Sequence, residues 1–86
     1  MEPIKIVTED HYHHIIFNDP DKFDTIRTPK WADNASDSVI EGSEVRTGKM
    51  KGSDEWQTES VLVPKDKVDQ DKAVNLAKQI VEKIES

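Results

Sequence analysis

Three imidazoles and two carboxylates lie within the six residues Glu9-Asp10-His11-Tyr12-His13-His14. Imidazole nitrogens and carboxylate oxygens are ligands for divalent transition metals. In an extended segment, side chains two residues apart share a face. His11 and His13 therefore form a candidate two-ligand metal site. A complete site needs further ligands, and Asp10 falls on the opposite face with Tyr12 and His14. The plainer reading is a strand entry with one histidine packed or capping backbone groups. The same rings titrate near neutrality and suit acid–base chemistry. Ser36, Ser38, Ser43, Ser53 and Ser60 are available as nucleophiles, but none sits in a recognisable elbow. No catalytic residue is assigned, and no cofactor is expected.

A second group of residues points to binding. Arg46, Lys49 and Lys51, with Lys65 and Lys67 further along, make one stretch locally basic, and Trp56 stands beside it. Positive charge next to an aromatic ring suits a single-stranded nucleic acid, because bases stack on the ring while cations follow the backbone. Glu44, Asp54, Glu55 and Glu59 are interleaved with these cations, so the plainer reading is a solvated hairpin, with an anion or nucleic-acid contact and a protein-partner surface as the alternatives. Arg46, Lys49, Lys51 and Trp56 are the candidate partner-binding residues. Trp31 and Trp56 both read as core or half-buried anchors; a tryptophan left exposed would be a hot spot for a partner.

Two further clusters resolve into turns. Asn18-Asp19-Pro20-Asp21, with Asp24 nearby, gathers oxygen ligands without the spacing, central Gly or terminal Glu of a calcium loop. It reads as a turn whose side chains bond their own backbone. Gly42, Gly48 and Gly52 do not form a phosphate loop, which needs Gly-x4-Gly-Lys-Ser/Thr leading into a helix. They read as a helix cap, a bulge or point of close approach, and a hairpin turn.

The elements that must position these residues follow from periodicity. His11–Asn18 is rich in β-favouring types, with His13, Ile15 and Phe17 on the core face. Asn18-Asp19-Pro20-Asp21 stops it. Residues 21–28 read as a connector anchored by Phe23 and Ile26. Thr28 and Pro29 look like a helix start, and Trp31, Ala35 and Val39 supply one stripe of a short helix over Pro29–Glu41, closed by Gly42. Glu44–Met50 and Trp56–Val63 pair as a hairpin, with Lys51-Gly52-Ser53-Asp54 between them. Val68–Glu85 is a long helix. Asp69 is its N-cap, Val68 and Ala73 a hydrophobic staple, and Ala73, Leu76, Ala77, Ile80 and Ile84 its apolar stripe, with Val81 at the margin. Met1–Asp10 forms either an edge strand or a loose arm.

The reading is thus a single small α+β domain over residues 1–86. It has a three-stranded, or with the N-terminal segment four-stranded, mainly antiparallel sheet, a short middle helix and a long C-terminal helix laid on one face. An 86-residue chain has room for one thin core and little room for a deep cleft. Charged residues make up 35% of the chain, against about 25% in ordinary domains, so most of the surface is solvated. Net charge is −6, from 12 basic and 18 acidic residues. Because nucleic-acid affinity rests on neutralising phosphates, this balance disfavours a generic nucleic-acid binder and equally an anionic membrane surface. With no cysteine, disulfides and thiolate chemistry are excluded. No apolar run is long enough to span a bilayer and no signal peptide is visible at Met1-Glu2-Pro3-Ile4-Lys5, so the expected location is cytoplasmic.

Several stretches carry a resemblance. His13-His14-Ile15-Ile16-Phe17-Asn18-Asp19-Pro20-Asp21-Lys22-Phe23, Arg27-Thr28, Gly48-Lys49-Met50-Lys51-Gly52-Ser53 and Gln57 to Lys65 resemble small uncharacterised proteins from archaea and from phage-associated reading frames. Those proteins combine a His-x-Ile strand, an Asp-Pro-x-x-Phe turn, an Arg-Thr pair, a Gly-Lys hairpin and an Ala-rich C-terminal helix. The segment Trp31–Gly42 looks like an insertion relative to the phage-associated versions. The resemblance implies no activity; it implies that Arg27 and the Asp19–Phe23 turn serve the fold. The residues together point to a non-enzymatic interaction module acting through a protein partner or self-association. The alternatives are a nucleic-acid accessory protein using the hairpin, and a metal-binding protein or small metal-dependent enzyme using His11 and His13.

Overall fold

A computed structural model of the chain describes residues 2–85. Among these residues the order is β1 (Lys5–Thr8), β2 (Tyr12–Ile16), β3 (Phe23–Arg27), α1 (Lys30–Asp37), β4 (Glu44–Met50), β5 (Trp56–Pro64) and α2 (Gln70–Glu85). A single 3-10 turn, Pro20–Lys22, leads into β3. The strands form one five-stranded sheet in the order β1-β2-β5-β4-β3, and every neighbouring pair is antiparallel. Both helices pack on the same face. The α+β class agrees with the sequence reading; the sheet is wider than the three or four strands expected.

The added width comes from both edges of the sheet. The N-terminal segment is a strand and not a loose arm: Ile6 pairs with Ile15 and Thr8 with His13. The segment read as a connector contains β3. Its only large apolar residues are Phe23, buried, and Ile26, 39% exposed, so an edge strand of this composition lacks the alternation that marks a strand in sequence. What admits it is Gly48. A Cβ on Gly48 would lie 2.0 Å from the Thr25 carbonyl oxygen and 2.7 Å from the Phe23 ring, so β3 closes on β4 only where β4 has no side chain. The close approach expected for Gly48 is the one found. The bulges lie elsewhere, between Phe23 and Thr25 on β3 and opposite Arg46–Thr47 on β5.

The core sits between the sheet and α2. Ile15, Val45, Val61 and Val63 from the three central strands are fully buried against Ala73, Ala77 and Ile80 of α2 and Ala32 of α1. Full burial of each branched aliphatic contributes about 1.5–3 kcal/mol, and the alanines on the helix faces let the helices lie close to the sheet. Val81, read at the stripe's margin, is buried, while Leu76 is only half-buried. The start of α2 is as expected. The Lys72 amide donates to Asp69 Oδ1 at 2.9 Å, and Val68 packs on the core.

α1 departs from the sequence reading in three ways. It begins at Lys30 with Pro29 in the cap position and no side-chain cap, and it ends at Asp37. Its buried stripe is Ala32 and Ser36, not Trp31 and Ala35. An eight-residue helix with two small residues four apart can seat closely on a strand, and Ser36 completes the seat. Its hydroxyl lies 2.9 Å from the Asp33 carbonyl and 3.3 Å from the Ser43 carbonyl. This rotation carries Trp31 to the surface. Gly42 is not a helix cap; it takes φ +89° in the following turn, where its amide donates to Asp37 Oδ1 at 3.2 Å.

Candidate functional site

The hairpin end of the helix-covered face carries a cleft of about 460 Å³, and its construction begins with a bulge. Along β5, Val61 and Val63 face the core, so strict alternation would send Thr58 and Trp56 to the far face with Ser60 and Leu62. Arg46 pairs with Ser60 but Thr47 pairs with Thr58, which leaves Glu59 as an extra residue. Its carbonyl accepts from the Phe17 amide at 2.9 Å and the Asn18 amide at 3.2 Å, and Asn18 Nδ2 donates to the Thr58 carbonyl at 2.8 Å. The extra residue returns Thr58 and Trp56 to the helix side.

Thr47 and Thr58 form the floor of the cleft; Trp31 of α1, Trp56 and Glu55 of the hairpin, and Ile84 and Glu85 of α2 make its walls. Both floor threonines are buried, at 1% and 0% exposure, and neither hydroxyl has a hydrogen-bond partner. Hydroxyls facing each other across a strand pair can bond one another, but these two do not. A buried hydroxyl without a partner costs about 1–3 kcal/mol. The walls are the opposite case. Trp31 is 54% exposed and Trp56 43% exposed, and they are the only two tryptophans in the chain. Of the core or half-buried anchor expected for each, neither is in the core, and both indoles keep about half of their surface exposed.

Charge in the cleft is acidic. Glu85, which ends α2 against the helix dipole, accepts from the Thr58 amide at 3.2 Å through Oε2. Its position is thus explained by an amide at the bulge. Glu55 is exposed on the opposite wall. No Lys or Arg lines the cleft. By register two cations flank it: Lys49 is paired with Trp56 and held with its Nζ 5.4 Å from the indole centroid. Arg27 is paired with Thr47 at the β3 margin.

The candidate partner-binding residues do not form one surface. Lys49 and Trp56 meet on the helix side. Arg46 alternates with Thr47 and shares the other face with Gly48, and Lys51 lies exposed in the turn. The histidines are also separated. His13 is buried in the core face, with Nδ1 3.0 Å from Thr8 Oγ1 and Nε2 2.9 Å from the Val68 carbonyl. A carbonyl can only accept, so Nε2 carries a proton, and in the neutral ring Nδ1 accepts from Thr8. Neither nitrogen is free for a metal. His11 is exposed beside Asp10 and Lys65 in a second cleft at the far end of β5. His14 lies on the open face, with Nδ1 3.5 Å from Glu9 and Nε2 buried without a partner. Among the described residues no three His, Asp or Glu side chains gather as a metal site. No helix among them is long and apolar enough to cross a membrane.

Sequence reasoning missed Trp31, Thr47, Thr58, Glu55 and Glu85 as members of one site. The small pair Ala32 and Ser36 is the signal that could have turned Trp31 outward. The extra residue in β5 leaves no compositional mark. A comparison with known protein families, curated proteins and solved structures finds no match for the chain.

Proposed function

We propose that the protein is a small non-enzymatic interaction module and that it docks its protein partner in the Trp31–Trp56 cleft. The observation that carries this reading is the pairing of two exposed indoles, the chain's only two, over two buried hydroxyls with no partner. Exposed tryptophans around a partly enclosed, polar-floored recess are what binding hot spots are made of. An unpaired buried hydroxyl is a cost that a bound group can remove. The site offers no nucleophile with a positioned base: the threonines have no histidine or carboxylate hydrogen-bonded to their hydroxyls.

A nucleic-acid reading draws support from the Lys49–Trp56 stack alone. The two carboxylates in the cleft and the placement of Arg46 on the other face count against it. The test is capture from lysate with and without nuclease, comparing the native chain with Trp31→Ala and Trp56→Ala, followed by rebinding of the purified partner. A nuclease-resistant partner that rebinds in pure form and is lost in both variants supports the module. A partner retained equally by both variants removes the cleft from the function.

A further inference from the structure

We propose that the cleft takes the guanidinium of an arginine presented by a basic protein partner; this rests on the docking role of the cleft and specifies its chemistry. The cleft presents acceptors in an aromatic setting. Glu55 and Glu85 supply carboxylates, and the Thr47 and Thr58 hydroxyls supply unpaired oxygens buried at 1% and 0% exposure. The walls are two indole rings. Guanidinium is the side-chain group that matches this set. It is planar, stacks on aromatic faces, and carries five N–H donors and no acceptor. An ammonium is a more strongly hydrated point charge and stacks less well.

Three further observations narrow the class. The chain carries a net charge of −6, so a basic partner is steered toward it. Glu85 already uses Oε2 on the Thr58 amide, so its orientation is fixed before a ligand arrives. Lys49 holds its ammonium 5.4 Å from the Trp56 ring, which shows that this ring accepts a cation. Lys49 is then a competitor of the incoming arginine. The nucleic-acid alternative makes the same lysine a contact, so its removal acts with opposite sign in the two cases.

Because the only indole N–H groups belong to Trp31 and Trp56, their NMR resonances report on the cleft alone. The experiment titrates the full chain with a short capped arginine-containing peptide, its lysine and citrulline counterparts, and oligothymidine. The arginine peptide is expected to move both indole signals. Its affinity should fall about tenfold with citrulline and by a smaller factor with lysine. Glu85→Gln, which keeps an acceptor for the Thr58 amide, should weaken it, and Lys49→Ala should tighten it. Thr58→Val should weaken binding while raising the melting temperature, a pair of signs that a misfolded variant cannot give. Equal binding of citrulline overturns the proposal. So does oligothymidine binding that Lys49→Ala weakens. If no peptide moves the indoles while the purified partner still binds in a Trp31-dependent way, the arginine assignment fails and the docking reading stands; if neither occurs, both fail.

Discussion

The two ends of β5 treat buried polar groups in opposite ways. At the Pro64 end, His13 is buried, and both its ring nitrogens are engaged, by Thr8 and by the Val68 carbonyl. One imidazole thereby ties β1 and β2 to the start of α2. At the Trp56 end, Thr47 and Thr58 are equally buried and bonded to nothing, under two exposed indoles. On the helix-covered face, buried polar groups are thus satisfied at one end and unsatisfied at the other; on the opposite face His14 Nε2 is buried without a partner as well. That contrast, more than any motif, marks the Trp56 end as the candidate site, because buried polar groups without partners are uncommon in a native fold.

Substitutions should therefore have opposite signs at the two ends. The largest effect is expected at the satisfied end. His13→Ala removes a packed ring and leaves the Val68 carbonyl and Thr8 hydroxyl without it. It should cost about 3 kcal/mol in chemical denaturation. A cost below about 1 kcal/mol would mean that the imidazole is not the tie described. At the other end, Thr47→Val and Thr58→Val keep shape and remove an unpaired hydroxyl, so each should stabilise by about 1 kcal/mol. Destabilisation by either would show that the hydroxyl is satisfied in solution and would erase the contrast.

The smallest effect concerns an accessory tie between the N-terminal segment and the middle of α2. Glu2 lies 2.7 Å from Lys78 of α2, and the hydrogen bond and charge of that lysine hold its carboxyl below the ordinary 4.5. A carboxyl whose pKa is lowered by folding adds stability above its unfolded value and loses it as pH falls through the folded value. NMR titration should find Glu2 below the usual glutamate range, with Lys78→Gln restoring it. An unchanged value in that variant would remove the tie. Glu2 is fully exposed, so its contribution to stability is screened.

Most of what the sequence showed lay where periodicity was undisturbed. The core face His13, Ile15 and Phe17, the Val61–Val63 part of the second hairpin arm and the body of α2 all follow from alternation at two or a stripe at three and four, and all are present. β3 was hidden because it is an edge strand made largely of polar residues, and its only admission ticket is the missing side chain at Gly48. Trp31 was misplaced because an eight-residue helix offers two competing stripes, and its hydrophobicity outweighed the better fit of Ala32 and Ser36. Of the site itself, Lys49 and Trp56 were legible as neighbours. Thr58 and Glu85 were not, because their meeting depends on a strand register and on a helix end far away in sequence.

The extra residue at Glu59 gives the molecule an arithmetic of odd and even. Beyond it, odd-numbered positions of β5 point to the helices; before it, Thr58 and Trp56 do. The face that carries the cleft is thus set by a phase offset in the strand, separately from the identities of the residues that line it. Losing that one codon would make the strand regular: Arg46 would still face Ser60 and Thr47 would still face Thr58, so Thr58 and Trp56 would stay on the helix side while the Glu59 carbonyl that accepts from the Phe17 and Asn18 amides would be gone. The bulge thus lets β5 carry one residue more than strict alternation allows while the core residues and the cleft residues both stay on the helix side.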